Sequence, residues 1–136
     1  VIDLMKNRAR SLVYTTGLPP AVVASCIASV DIIATDADRV ARPLRRARAF
    51  CAAVGLPAPE SPIVPLVVGA EQAALNASAT LEDAGFLVTP IRPPTVPAGT
   101  SRLRFTFTAE HTDAQVDALA AAVNRLDLEI ARVAKA

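Results

Sequence analysis

Ser101-Arg102-Leu103-Arg104-Phe105-Thr106-Phe107-Thr108 alternates polar and apolar residues from Arg102 onward. Leu103, Phe105 and Phe107 fall on one face of a strand and Arg102, Arg104, Thr106 and Thr108 on the other, because successive Cβ atoms point to opposite sides. A strand with one apolar and one polar face needs helices on its apolar side alone. That predicts a small sheet covered by helices on one face, an α+β sandwich of two layers.

The neighbouring residues fit that arrangement. Thr112 with Gln115 three residues on has the spacing of a capping box. Val116, Leu119, Val123, Leu126, Ile130 and Val133 then follow in steps of three and four, predicting a helix that lies on the sheet or on a partner. Ahead of the strand, Arg92 to Thr100 is a proline-rich loop, and Phe86-Leu87-Val88 reads as a second short strand. Glu71 to Ala84 reads as a helix closed by Gly85. Ile63 to Val68 is an apolar run interrupted by Pro65, hence an edge strand or a strand that begins after the proline. Val40, Leu44, Ala47, Cys51 and Val54 form the apolar stripe of a helix capped by Asp36 or Asp38, with Arg39, Arg42, Arg45, Arg46 and Arg48 around it. Pro43 lies early enough for that helix to tolerate it, and Gly55 with Pro57 stops it.

Residues 1–35 do not complete a domain. Val1 to Leu12 reads as a short amphipathic helix, and Ser11 to Thr16 as a strand-like run ending at Gly17. From Ala21 to Ile33 nearly every residue is apolar or small, so this helix is expected to be buried on most sides. The division predicted is residues 1–35 as an arm belonging to another core, and residues 36–136 as a small α+β domain.

Composition narrows the function. The 136 residues carry 14 Lys and Arg against 13 Asp and Glu, and 52% are hydrophobic with only 4% aromatic. A high apolar fraction with a net charge of +1 argues against disorder. The even charge balance, with no aromatic among the arginines from 39 to 48, favours a solvated helix face over a nucleic-acid surface. No apolar run approaches the ~18 residues of a membrane span. Val1 is not a methionine and follows no charged-then-apolar leader, so the chain is expected to be part of a longer polypeptide.

His111 is the one histidine and Cys26 and Cys51 are the two cysteines, a set too small for zinc. Both cysteines lie in apolar patterns and read as small core residues. His111 reads as a helix-entry residue. The five glycines are isolated, so no glycine-rich phosphate loop is present. Arg104 remains open to two readings: a guanidinium that clamps a carboxylate through two parallel hydrogen bonds, or a rim arginine whose stem covers the sheet. The loop from Arg92 to Thr100 is stiffened by its prolines and presents Thr95 in a defined direction.

Three landmarks then carry a resemblance: Tyr14-Thr15-Thr16-Gly17-Leu18-Pro19-Pro20-Ala21, Ser61-Pro62-Ile63-Val64-Pro65-Leu66-Val67-Val68-Gly69, and the stretch from Ile91 to Thr112. In this order and spacing the chain resembles the C-terminal part of the α-oxoamine synthases, which depend on pyridoxal phosphate. The resemblance implies an α/β enzyme of fold-type I working as a homodimer. Residues 1–35 would close the large cofactor domain and form the interdomain helix, and residues 36–136 would be the C-terminal small domain. By motif position Thr15 and Thr16 would reach the cofactor phosphate of the neighbouring subunit, Thr95 would touch substrate, and Arg104 would anchor the amino-acid carboxylate. The Arg92-Pro93-Pro94-Thr95 variant implies condensation of L-alanine with a pimeloyl thioester, on CoA or a carrier protein, with loss of CO2, as in biotin synthesis. Alternatives are 5-aminolevulinate synthase, glycine C-acetyltransferase, or a non-catalytic interaction module on the same scaffold. Lys6 and Lys135 do not stand in the family's lysine motif, so the Schiff-base lysine is expected on a missing N-terminal portion and this chain is expected to be inactive alone. A cytoplasmic location follows from the family and from unpaired cysteines.

Overall fold

The computed structural model describes residues 1–13 and 17–126. It divides into two compact units, Val1–Ala37 and Asp38–Ala136. The first unit is helical: α1 (Ile2–Arg8), α2 (Arg10–Val13) and α3 (Pro20–Thr35). The strand expected from Ser11 is absent over Ser11–Val13, because the Val13 amide donates to the Ala9 carbonyl at 2.9 Å and closes a helical turn. Tyr14, Thr15 and Thr16 lie outside the described residues. α3 starts with Pro20 at its first position, where a missing N–H costs nothing. It has no buried residue, against the burial expected of it: Ile27, Val30 and Ile33 are all exposed, and so is Cys26. A helix apolar on every side belongs inside a core, and the chain buries none of it.

The second unit contains α4 (Ala37–Val54), β1 (Ile63–Gly69), α5 (Glu71–Asp83), β2 (Thr89–Ile91), β3 (Ser101–Thr106) and α6 (Asp113–Asn124). The three strands form one antiparallel sheet in the order β1-β3-β2. The alternation is realised as read, through β3 and the two residues past its end: Leu103, Phe105 and Phe107 are buried while Arg104, Thr106 and Thr108 are exposed. The core gathers these side chains with Val64, Leu66, Leu81 and Val123. Phe50 is its aromatic hub, with ring centroids 4.7 Å from Phe105 and 5.3 Å from Phe107. The predicted stripe of α4 holds from Ala47 through Cys51 to Val54, but Val40 is exposed. Phe50, three residues beyond Ala47, occupies the buried face instead.

Pro65 sits inside β1, opposite Arg104, on an edge strand as anticipated. The Phe107 amide donates to the Pro62 carbonyl at 3.0 Å. Bonded and non-bonded pairs alternate along an antiparallel ladder. Pro65 therefore falls on a non-bonded pair, and its missing N–H costs the sheet no bond.

β2 begins three residues later than the predicted Phe86-Leu87-Val88. The end of α5 explains the shift. Gly85, at φ +89°, donates its amide to the Glu82 carbonyl, and the Phe86 amide bonds Leu81 at 2.8 Å. This Schellman closure holds Phe86 in the helix terminus. The Val88 carbonyl then accepts the Ser78 hydroxyl at 2.7 Å. At the head of α6 the capping box is present in both directions: the Gln115 amide donates to Thr112 Oγ1 and the Thr112 amide to Gln115 Oε1. Ile130 and Val133 lie outside the described residues.

Candidate functional site

With helices on one side of the sheet, the other side is bare, and β3 runs down its middle. Arg104 is therefore central on this open face. Its cross-strand neighbours are Pro65 on β1 and Thr89 on β2, all three exposed. Among the described residues the Arg104 side chain makes no hydrogen bond or ion pair. A guanidinium held on a rigid strand, with no internal partner, is available to an external carboxylate, which it binds bidentately. Immediately behind it Leu103 and Phe105 are anchored in the core. The strand cannot shift without disturbing them.

Arg102, on the same face, is committed differently: it is half-buried and its Nε donates to the Thr100 carbonyl at 3.0 Å. That bond ties β3 to the proline-rich loop. Within the loop the Thr95 amide donates to Arg92 at 3.0 Å, and both the amide and the hydroxyl of Thr100 bond the Pro97 carbonyl. Arg92 reaches Glu71 at the start of α5, Nη1 to Oε1, at 2.7 Å. The loop is thus braced at both ends and at its base, with a cis bond between Pro93 and Pro94. Thr95 is exposed on it, at the end of the sheet where β3 starts. Arg104 lies three residues further along the strand from that end, and no hydrogen bond joins the two among the described residues. Thr15 and Thr16 lie outside the described residues.

The arginines of α4 are engaged. Arg42 and Arg45 both bond Asp38, whose carboxyl is held below the usual carboxylate range by the Arg45 and then the Arg42 hydrogen bond. Arg39 pairs with Glu110, and Arg46 binds both Asp113 and the His111 carbonyl. With most of these guanidiniums committed to Asp38, Glu110 and Asp113, the helix face is a poor match for a run of phosphates.

A cleft of about 320 Å³ opens near the end of β3, lined among others by Phe86, Val88, Phe107, His111, Val116 and Leu119. Among the described residues His111 is its one titratable lining group. Nδ1 of that ring accepts the Thr108 amide at 2.9 Å and the ring meets Phe107 edge-on, so His111 orders the turn into α6. Cys51 is buried and its thiol is pushed up by burial, consistent with a core residue. Among the described residues no cluster of His, Cys, Asp or Glu has the makings of a metal site, and no single helix is long and apolar enough to cross a membrane. What the single strand could not disclose was the pair flanking Arg104, since Pro65 and Thr89 are set by pairing register and not by any local pattern.

Comparison with known proteins adds a second line. The family described as aminotransferase class I and II matches residues 1–123. An 8-amino-7-oxononanoate synthase of Methylocella silvestris is 61% identical over 123 residues, covering 90% of this chain and 35% of that protein. A counterpart in Methylobacterium radiotolerans is 60% identical over 126 residues, covering 93% and 34%. The solved serine palmitoyltransferase of Sphingomonas wittichii superposes with a TM-score of 0.83 at 27% identity, covering 90% of this chain and 32% of that one. A serine palmitoyltransferase of S. paucimobilis with a bound PLP–myriocin aldimine gives 0.75 at 30% identity, covering 89% and 32%. The fold is accordingly that of α/β enzymes of fold-type I, as the landmarks implied. The chain spans about a third of the length of the curated relatives it matches.

Proposed function

The chain belongs to the aminotransferase class I and II family, and from that membership we propose that it is the C-terminal third of an acyltransferase of the 8-amino-7-oxononanoate synthase type. The complete protein would be a cytoplasmic homodimer that condenses L-alanine with a pimeloyl thioester and releases CO2. Residues 36–136 are its small domain, and residues 1–35 the end of its cofactor domain with the connecting helix. The observation that carries this reading is Arg104: exposed, without a partner among the described residues, and fixed on the central strand of an open sheet face. The high identity to synthases of this name supports the choice of substrates.

Pyridoxal phosphate, when bound, supplies the electron sink for chemistry at the amino-acid α-carbon. The described residues fit the amino-acid side of such a site and not the amine side. Lys6, on the short helix α1, is exposed and pairs with Asp3 at 3.6 Å, whereas a Schiff-base lysine is held beside the cofactor and tuned by its surroundings. Lys135 lies outside the described residues; on the family reading the reactive lysine is assigned to other polypeptide, and no catalytic residue is assigned in this chain.

What this chain contributes is binding and orientation. Arg104 holds the α-carboxylate of the amino acid, fixing the angle at which the α-carbon is presented. Thr95, on its braced loop, contacts the substrate from the sheet end, and Thr15 and Thr16 are assigned to the cofactor phosphate of the neighbouring subunit. Arg104→Ala in the complete enzyme tests the core of this reading. Loss of a bidentate charged contact costs about 2–4 kcal/mol, hence a rise of roughly 30- to 900-fold in the KM for L-alanine. The KM for the thioester should not move. An unchanged alanine KM would refute the assignment.

A further inference from the structure

Pro65, Arg104 and Thr89 form a row straight across the sheet, one residue from each strand. The ladder geometry makes the two sides of Arg104 unequal. Its own N–H and C=O point towards β2, because the bonds to β1 come from its neighbours Leu103 and Phe105. Thr89 is thus the hydrogen-bonded partner of Arg104, with the Cα atoms about 5.5 Å apart, while Pro65 is the non-bonded partner at about 4.5 Å. The register thus sets a pyrrolidine ring on one side of Arg104 and a threonine on the other, all on the same sheet face.

The two flanks differ chemically. Pro65 offers only a rigid apolar wall. Thr89 offers a hydroxyl with one donor and two acceptor sites, and among the described residues that hydroxyl makes no hydrogen bond, so it is open to its neighbour across the ladder. A guanidinium has five N–H donors, and a bidentate carboxylate uses two. A spare N–H therefore remains for a hydroxyl alongside it. A threonine at the start of an edge strand needs no such task, since its β-branched shape alone suits a strand. Valine has that same shape without the hydroxyl, so the two roles are separable.

We propose that Thr89 is a positioning residue for Arg104: its hydroxyl steadies the guanidinium against the wall of Pro65 and so sets the affinity for the amino-acid carboxylate. This rests on the reading that Arg104 binds that carboxylate. A positioning role predicts an effect on amino-acid binding alone, whereas a purely structural role predicts none from an isosteric change.

The test compares Thr89→Val, Thr89→Ser and Arg104→Lys in the complete enzyme. Thr89→Val should raise the KM for the amino acid roughly tenfold, the worth of one hydrogen bond to a charged group. Its kcat, its KM for the thioester and its thermal midpoint should stay at the parent values. Thr89→Ser, which restores a hydroxyl, should bring the amino-acid KM back to within about threefold of the parent. Arg104→Lys, which keeps the charge and loses the fork, should raise the same KM. An unchanged KM in Thr89→Val beside a raised one in Arg104→Lys overturns the role of Thr89 alone. An unchanged KM in Arg104→Lys overturns the carboxylate reading, and the role of Thr89 with it.

Discussion

Replacing Phe50 by alanine should loosen the sheet from beneath. The Phe50 ring is fully buried and stands 4.7 Å from Phe105 of β3 and 5.3 Å from Phe107 just past its end, both on the core side. Truncation of a buried phenylalanine costs about 3–5 kcal/mol, combining lost transfer energy with the void left behind. Two tilted aromatic contacts, each worth about 0.5–1.5 kcal/mol beyond burial, favour the upper half of that range. Local opening of β3 is read by hydrogen exchange of the segment 101–107, followed by mass spectrometry in the complete protein. At about 1.4 kcal/mol per factor of ten, protection of this segment should fall by two to nearly four orders of magnitude. Phe50→Leu, which keeps most of the volume, should lose far less. A fall of less than tenfold in Phe50→Ala would refute the claim that Phe50 is the support of β3.

Three further outcomes follow from individual residues. Ser101 is fully buried and among the described residues its hydroxyl has no hydrogen-bond partner; Ser101→Ala should therefore leave stability unchanged or raise it by about 1 kcal/mol in denaturant unfolding, and a loss of that size would show the hydroxyl to be satisfied. Thr112→Ala removes one half of the capping box and should cost about 0.5–2 kcal/mol. Exchange of the first-turn amides of α6 would report it, and unaltered exchange would contradict it. Asp38 has its folded-state pKa depressed by Arg45 and Arg42, so its contribution is present above the ordinary value of 3.8 and is lost as pH falls below that value through the folded one. In Asp38→Asn the acid-induced loss of stability should shrink over that interval, as followed by circular dichroism against pH, and an unaltered profile would count against it.

Reading the chain unaided works best where one segment contains its own reason. The alternation in β3 and the Thr112/Gln115 spacing are each complete within a few residues, and both are realised in the structure. Prediction fails where distant or external groups decide. Phe86-Leu87-Val88 has strand-like side chains, but the Gly85 closure and the Ser78 hydroxyl engage its backbone first. Val40 fits the stripe of α4, yet that stripe is not buried so close to the start of the helix. The bare face of α3 shows the converse: its composition is that of a core helix, and the residues at hand do not bury it. For the candidate site, strand alternation sufficed to aim Arg104 away from the core. Its flanking residues come from 39 positions before and 15 before it, and only the pairing register brings them together.

Pro65 has an effect at the outer rim of β1 as well. Since its non-bonded position turns the backbone nitrogen away from β3, the donor it lacks is one that would have faced outward. A foreign strand approaching that border finds a gap in the donor row and a ring in its way, which discourages edge-to-edge polymerisation. The same proline that stands beside Arg104 on the open face thereby helps keep separate molecules from zipping together.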